Sequence, residues 1–213
     1  MMKSFSRFNL IKSKLSEGKK SFLDLILEPK YHYVEIELPL FDFRRGEVLI
    51  SDIERVSEDA PSFDLGQLIN LLYLQFMHQV RKGSDISALG HKIMSKMEQF
   101  NIVNSHTVKK KHEKLTAVSP NLFMLQTHET IEKRSAPKQA TACLTIRMRI
   151  TEIYRGEVLL YDIYQLNQDY EWNVEQLITM LYLDFIDTIK REGNSEDLFI
   201  RIIDAFEFYY QYM

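Results

Sequence analysis

The chain has 213 residues, of which 45% are hydrophobic and 12% aromatic, and a net charge of −3. That composition can supply a core and excludes disorder throughout, while no apolar run nears the ~18 residues a membrane-spanning helix needs. The single cysteine, Cys143, excludes an internal disulfide framework and fits a reducing compartment.

The opening, "MMKSFSRFNLIKSKLSEGKK", lacks a long apolar stretch and a small-residue cleavage site, so a cytoplasmic location is expected. Few Gly and Pro with abundant Lys, Ile and Phe suggest a bacterial or phage protein. Charge alternates along the chain: net +4 over 1–30, −4 over 31–103, +4 over 104–140 and −7 over 144–213. The basic segments can lie on acidic surfaces of the same molecule or reach for an acidic partner.

Residues 4–16 read as a short basic segment, helical at best, and Leu23, Leu25 and Leu27 alternate as in an extra strand. A strand follows with Val34, Ile36, Leu38 and Leu40 on one face; Pro39 inside it suggests an edge position or a bulge. Gly46 is expected at a tight turn, with a second strand in "EVLISDIERV", which makes a β-hairpin. Asp64 stands as an N-cap before a helix whose inward stripe is Leu65, Leu68, Ile69, Leu72, Tyr73, Phe76 and Val80. Leu71 and Leu74 add a second apolar stripe, so the helix is covered on two sides. Gly83 ends it, and a second helix carries Ile86, Leu89, Ile93 and Met97.

The pattern then returns. A basic segment at about 104–116 precedes "LFMLQTHET", a candidate counterpart of the extra strand, and Leu144, Ile146, Met148 and Ile150 alternate as a second copy of the strand. Shifted by 110 positions, Arg45, Gly46, Glu47, Val48, Leu49, Asp52 and Ile53 fall on Arg155, Gly156, Glu157, Val158, Leu159, Asp162 and Ile163. One deletion later, Gln67, Leu68, Ile69, Leu72, Tyr73, Leu74 and Phe76 fall on Gln176, Leu177, Ile178, Leu181, Tyr182, Leu183 and Phe185. Asn173 repeats the N-cap, Gly193 the helix end, and Phe199, Ile202, Phe206 and Tyr209 the last helix. The expected fold is α+β. It is an internal duplication of a β-hairpin, or a three-stranded meander, followed by two helices, with the copies about a pseudo-twofold axis. The expected units are 1–103 and 104–213. Two copies, rather than three, argue against a solenoid.

The chemistry-bearing residues converge on nothing. Six histidines make no metal spacing, no phosphate-cradling glycine motif occurs among seven glycines, and no G-x-S-x-G elbow is present. Neither a cofactor nor a metal is expected. Cys143 reads as a buried strand cysteine rather than a nucleophile. Glu47 with Asp52, and Glu157 with Asp162, resemble paired carboxylates, but five residues along a strand put them on opposite faces. The favoured reading makes the glutamates turn or cross-strand partners of Arg45 and Arg155, with the aspartates ending strands. Asp52 meeting Asp162 across the axis is the alternative.

Lys109, Lys110 and Lys111 can hold phosphates, although a solvated linker is favoured because no aromatic interleaves the run. In the ending "DAFEFYYQYM", Phe208 and Tyr212 lie off the inward stripe and are candidate contacts for a partner. The expected function is a non-enzymatic protein-interaction module, an adaptor, inhibitor or regulator of a bacterial or phage cytosol. The alternatives are a nucleic-acid-associated regulator using 1–30 and 104–140, and an enzyme with a site at the pseudo-twofold junction. Homo-oligomerisation stays open.

Overall fold

The computed structural model describes residues 30–56, 63–102, 108–119, 122–132, 140–166 and 172–210. The chain divides into two compact units, one combining Met1–Ile102 with Gln139–Met213 and the other Val103–Lys138. In the first unit the order strand, helix, helix, helix occurs twice. It runs β1 (Tyr31–Pro39), α1 (Leu40–Val56), α2 (Leu65–Arg81) and α3 (Ile86–Gln99). After the second unit, β2 (Val108–Ser119) and β3 (Leu122–Glu132), it runs β4 (Thr141–Arg149), α4 (Ile150–Leu166), α5 (Val174–Glu192) and α6 (Glu196–Tyr210). The fold is mixed α and β and mostly helical, and none of these helices is long and apolar enough to cross a membrane.

β1 and β4 pair antiparallel along their whole length, from Tyr31 opposite Arg149 to Pro39 opposite Thr141. The expected alternation holds within the strands: Val34, Ile36, Leu38, Ile146 and Met148 are buried on one face and Leu144 is half-buried, while Leu40 and Ile150, expected on that face, begin the helices instead. No bulge occurs at Pro39, which closes the strand; a residue without an N–H suits a position where the ladder stops. Two backbone bonds, Leu40 N–H to Ala140 and Ile150 N–H to Lys30, then turn each strand directly into a helix.

That direct turn corrects the hairpin. "RRGEVLISDIERV" and "YRGEVLLYDIYQL" belong to helices α1 and α4, and no second strand follows Gly46 or Gly156. The deciding period is helical: Gly46, Leu49 and Ile53 are buried in α1, as are Gly156, Leu159 and Ile163 in α4. The glycines serve close approach rather than a turn. A Cβ on Gly46 would overlap the Tyr182 hydroxyl and lie 2.6 Å from Leu65 Cδ1, and one on Gly156 would overlap the Tyr73 hydroxyl.

α2 and α5 keep their expected ends. Asp64 and Asn173 are N-caps in full capping boxes with Gln67 and Gln176, and Gly83 and Gly193 take φ of 104° and 80° beyond the helices. Of the expected inward stripe, Leu65, Leu68, Ile69 and Tyr73 are buried in α2, together with Leu71 and Leu74 of the second stripe and with Met77, whereas Leu72, Phe76, Val80 and the counterpart Leu181 are half-buried.

The halves exchange parts. α2 packs on β4, and α5 packs on β1. The ring of Phe63 stacks on Phe206 of α6 at 4.8 Å. Gly90 of α3 meets Ile163 of α4, where an added Cβ would stand 3.1 Å from Ile163 Cγ2. Lys96 of α3 and Asp184 of α5 form an ion pair at 2.8 Å.

In the second unit, β2 and β3 form an antiparallel hairpin in which Lys109, Lys110 and Lys111 stand opposite Ile131, Thr130 and Glu129. This corrects two expectations: Lys109, Lys110 and Lys111 lie in a paired strand rather than in a linker, and β3 pairs with β2 rather than adding to β1 or β4. The extra strand expected at 23–27 and the segment 4–16 lie outside the described residues.

Candidate interaction surface

The buried faces of β1 and β4 leave the alternate residues outward. Tyr33, Glu35, Glu37, Thr141, Cys143, Thr145 and Arg147 are exposed, with Tyr31 and Arg149 half-buried at one end. Strand alternation puts them on one strip, and full antiparallel pairing fixes their spacing: Tyr33 opposite Arg147, Glu35 opposite Thr145, Glu37 opposite Cys143. Tyr33 is 55% exposed, so a large ring stands in water on a regular ribbon backed by helices.

Diagonal neighbours shape the strip. The Arg147 guanidinium lies 4.0 Å from the centroid of Tyr31, a cation–π contact that holds the charge flat over the ribbon. Cys143 sits beside two carboxylates. Its thiol donates a hydrogen bond to Glu35, and that bond, with slight burial and the charges of Glu35 and Glu37, pushes its ionisation above the ordinary thiol range. Cys143 is therefore exposed, which corrects the expectation of a buried cysteine, and it is held as the weakly nucleophilic thiol. Along the strip a cleft of about 370 Å³ opens between the ribbon and α2, with Tyr31, Tyr33, Gln67, Asn70, Arg147 and Arg149 on its walls.

The repeat-matched residues have a different task. Tyr73 Oη donates to the Glu152 carbonyl at 2.8 Å and accepts from the Gly156 N–H. Tyr182 Oη donates to the Asp42 carbonyl at 2.7 Å and accepts from the Gly46 N–H. Each hydroxyl thus stands between a carbonyl and the N–H four residues on, the two groups an α-helix pairs. Burial raises the ionisation of both phenols well beyond their ordinary range; Glu152 and Glu157 add to it at Tyr73, and Asp42 and Glu47 at Tyr182. Phenols held so firmly protonated serve as hydrogen-bonding pegs, not as acids or bases.

The arginines pair backward along their own helices rather than across a hairpin. Arg45 binds Asp42 at 2.8 Å, Arg155 binds Glu152, and Glu47 pairs with Arg44 at 2.7 Å. Glu157 is buried at 1% exposure, so it is no solvated turn partner. Asp52 and Asp162 sit within α1 and α4 and end no strand; five residues along a helix set each about 140° around from Glu47 or Glu157. Among the described residues no group of three His, Cys, Asp or Glu side chains is placed to hold a metal ion.

Phe208 is 59% exposed on α6, edge-on to Tyr209 at 5.2 Å, while Tyr212 lies outside the described residues. The strip on β1 and β4 was missed as a site. Its signal was the polar half of the alternation, Tyr33-Glu35-Glu37 and Cys143-Thr145-Arg147, which also describes any solvated strand face. Comparison with family models, with curated proteins and with solved structures finds no match to this chain.

Proposed function

We propose that this chain is a non-catalytic protein-binding module, an adaptor, inhibitor or regulator, whose recognition face is the outward strip of the β1–β4 ribbon. One observation carries the proposal: an exposed Tyr33 beside a flattened Arg147 on a fully paired ribbon. Tyr and Arg are the residue types that anchor protein interfaces, because each buries a large flat area while losing little freedom. With this goes the proposal of an internal duplication about a pseudo-twofold axis near Glu35 and Thr145. It is supported by the recurring element order, the two Tyr-to-helix contacts and the matched sequence. A bacterial or phage cytosol remains the setting suggested by composition.

A duplex nucleic acid is the alternative partner. The observation in its favour is the ribbon itself, since the major groove of B-DNA admits a two-stranded antiparallel ribbon. Glu35 and Glu37 on the same face oppose phosphate binding, which places this alternative second.

The test is site-specific photo-crosslinking in the native cell, with the crosslinker at position 33 and, as a control, at exposed Lys92 on α3. A discrete protein adduct is expected from position 33 alone, lost when Arg147→Glu is added. Adducts to nucleic acid, removed by nuclease, would transfer the function to the alternative. Equal adducts from both positions would end the claim for the ribbon.

A further inference from the structure

A second surface lies away from the ribbon strip, between α1 and α5. Phe41 and Val48, two turns apart on one face of α1, are 72% and 59% exposed. Facing them across a groove of about 350 Å³ is Ile189 of α5, with Leu49 and Ile186 at the floor. The groove is rimmed by three cations, Arg44, Arg45 and Lys190. Their local acids do not match them in number. Arg45 and Lys190 share the one recessed carboxylate of Asp42, at 2.8 and 2.7 Å, while Arg44 alone holds Glu47. An apolar slot with surplus positive charge on its rim is therefore built into the first half. The second half places Thr151 where Phe41 stands and Tyr154 where Arg44 stands, so the matched face has a small polar residue in place of Phe41 and one cation fewer.

We infer that this groove docks an acidic amphipathic helix of a partner protein. Phe41 and Val48 are about 10 Å apart along α1, the length over which a bound helix presents apolar side chains at i, i+3 or i+4, and i+7. Carboxylates flanking that apolar face would meet Arg44, Arg45 and Lys190 and take up the charge that Asp42 cannot balance alone. The inference rests on the protein-binding reading above but uses another face, so the two fail separately.

The experiment selects from a display library of random peptides of ~16 residues against the full chain, with counter-selection on Phe41→Asp. Position 41 is exposed, so that variant folds as the wild type does. Enriched peptides are expected to combine carboxylates with apolar residues at helical spacing. Affinity, read by fluorescence anisotropy, should fall about tenfold with Phe41→Asp and with the Arg44→Glu, Arg45→Glu pair, and should be unchanged by Arg147→Glu on the ribbon. Failure to enrich, enrichment of basic peptides, or clones that bind Phe41→Asp equally well would overturn the inference. Sedimentation velocity decides against a second copy as occupant: a dimer that Phe41→Asp dissolves would assign the groove to self-association and overturn it as well. Loss of ribbon crosslinks with peptide binding intact would remove the ribbon proposal alone.

Discussion

The Tyr73 hydroxyl donates to the carbonyl of Glu152 at 2.8 Å, across 79 positions of sequence, and the Tyr182 hydroxyl repeats the contact on Asp42 across 140. Each peg enters the first helix of the opposite half where a glycine, Gly156 or Gly46, leaves room for it. These contacts cross-link the two halves through their backbones.

Filling the space at one peg should be costly in a way the partner residue controls. Gly46→Ala forces its new methyl against Tyr182 and Leu65, and overpacking of this kind costs about 1–3 kcal/mol. Tyr182→Phe leaves the Asp42 carbonyl and Gly46 N–H without the hydroxyl, for a loss of about 1–3 kcal/mol. The double variant should cost less than the sum, because removing the hydroxyl removes part of the clash. Urea unfolding of the four proteins measures the coupling, and strict additivity would sink the account of Gly46.

Leu68 and Leu177 are wholly buried in the first turns of α2 and α5. Truncation of either to Ala should cost about 2–5 kcal/mol through lost transfer energy and a residual cavity. Each of these helices packs on the other half's strand, so the described part of the first unit should melt in one transition with both halves shifted. Thermal unfolding followed by Trp172 fluorescence and by far-UV dichroism checks it; two separate transitions would contradict the exchange of parts.

Alkaline pH should destabilise the fold beyond the usual. The phenols of Tyr73 and Tyr182 are raised by burial above their unfolded value of about 10. Folded tyrosines keep their protons where unfolded ones lose them, so the unfolded state binds fewer protons and stability falls as pH rises past about 10. Below that pH their contribution is fully present. The Tyr73→Phe, Tyr182→Phe double variant should be less stable at neutral pH but show a shallower decline between about pH 10 and 11.5. Denaturant midpoints across that range provide the measurement.

Cys143 should alkylate slowly. Its thiol is stabilised by the hydrogen bond to Glu35 and by the neighbouring carboxylate charge, so Glu35→Gln should let it ionise at lower pH and raise the iodoacetamide rate at pH 8. A pH–rate profile should move to lower pH in the variant. An unmoved profile would mean that Glu35 does not govern the thiol.

The strands and the long helices are legible in the sequence for plain physical reasons. Alternation over Val34–Leu38 and Ile146–Met148 has no helical counterpart, and Asp64 and Asn173 carry complete capping signals. α1 and α4 were not legible, because Gly46 and Gly156 after a strand look like turns and the residue that demands them lies far along the chain. Tyr73 and Tyr182 were matched in sequence, as were the two glycines, but periodicity within one half carries no sign that tyrosine and glycine meet. The ribbon strip was hidden for another reason: its outward residues carry no motif, and only the pairing of Tyr33 with Arg147 gathers them.

The exchange of parts also bears on how the chain is made. When the first half leaves the ribosome, β1 has Val34, Ile36 and Leu38 but neither β4 nor α5, the elements that pair with it and pack on it. At about 5–20 residues per second, synthesis from β1 to the end of α5 takes on the order of ten seconds or more. The ladder of β1 stays open until β4 is made and its apolar face stays uncovered until α5 is made, and both contacts are distant in sequence, which makes them slow to form. The nascent first half is therefore a predicted chaperone client, and slowing translation within residues 103–138 should lengthen its exposure and lower the yield of folded protein.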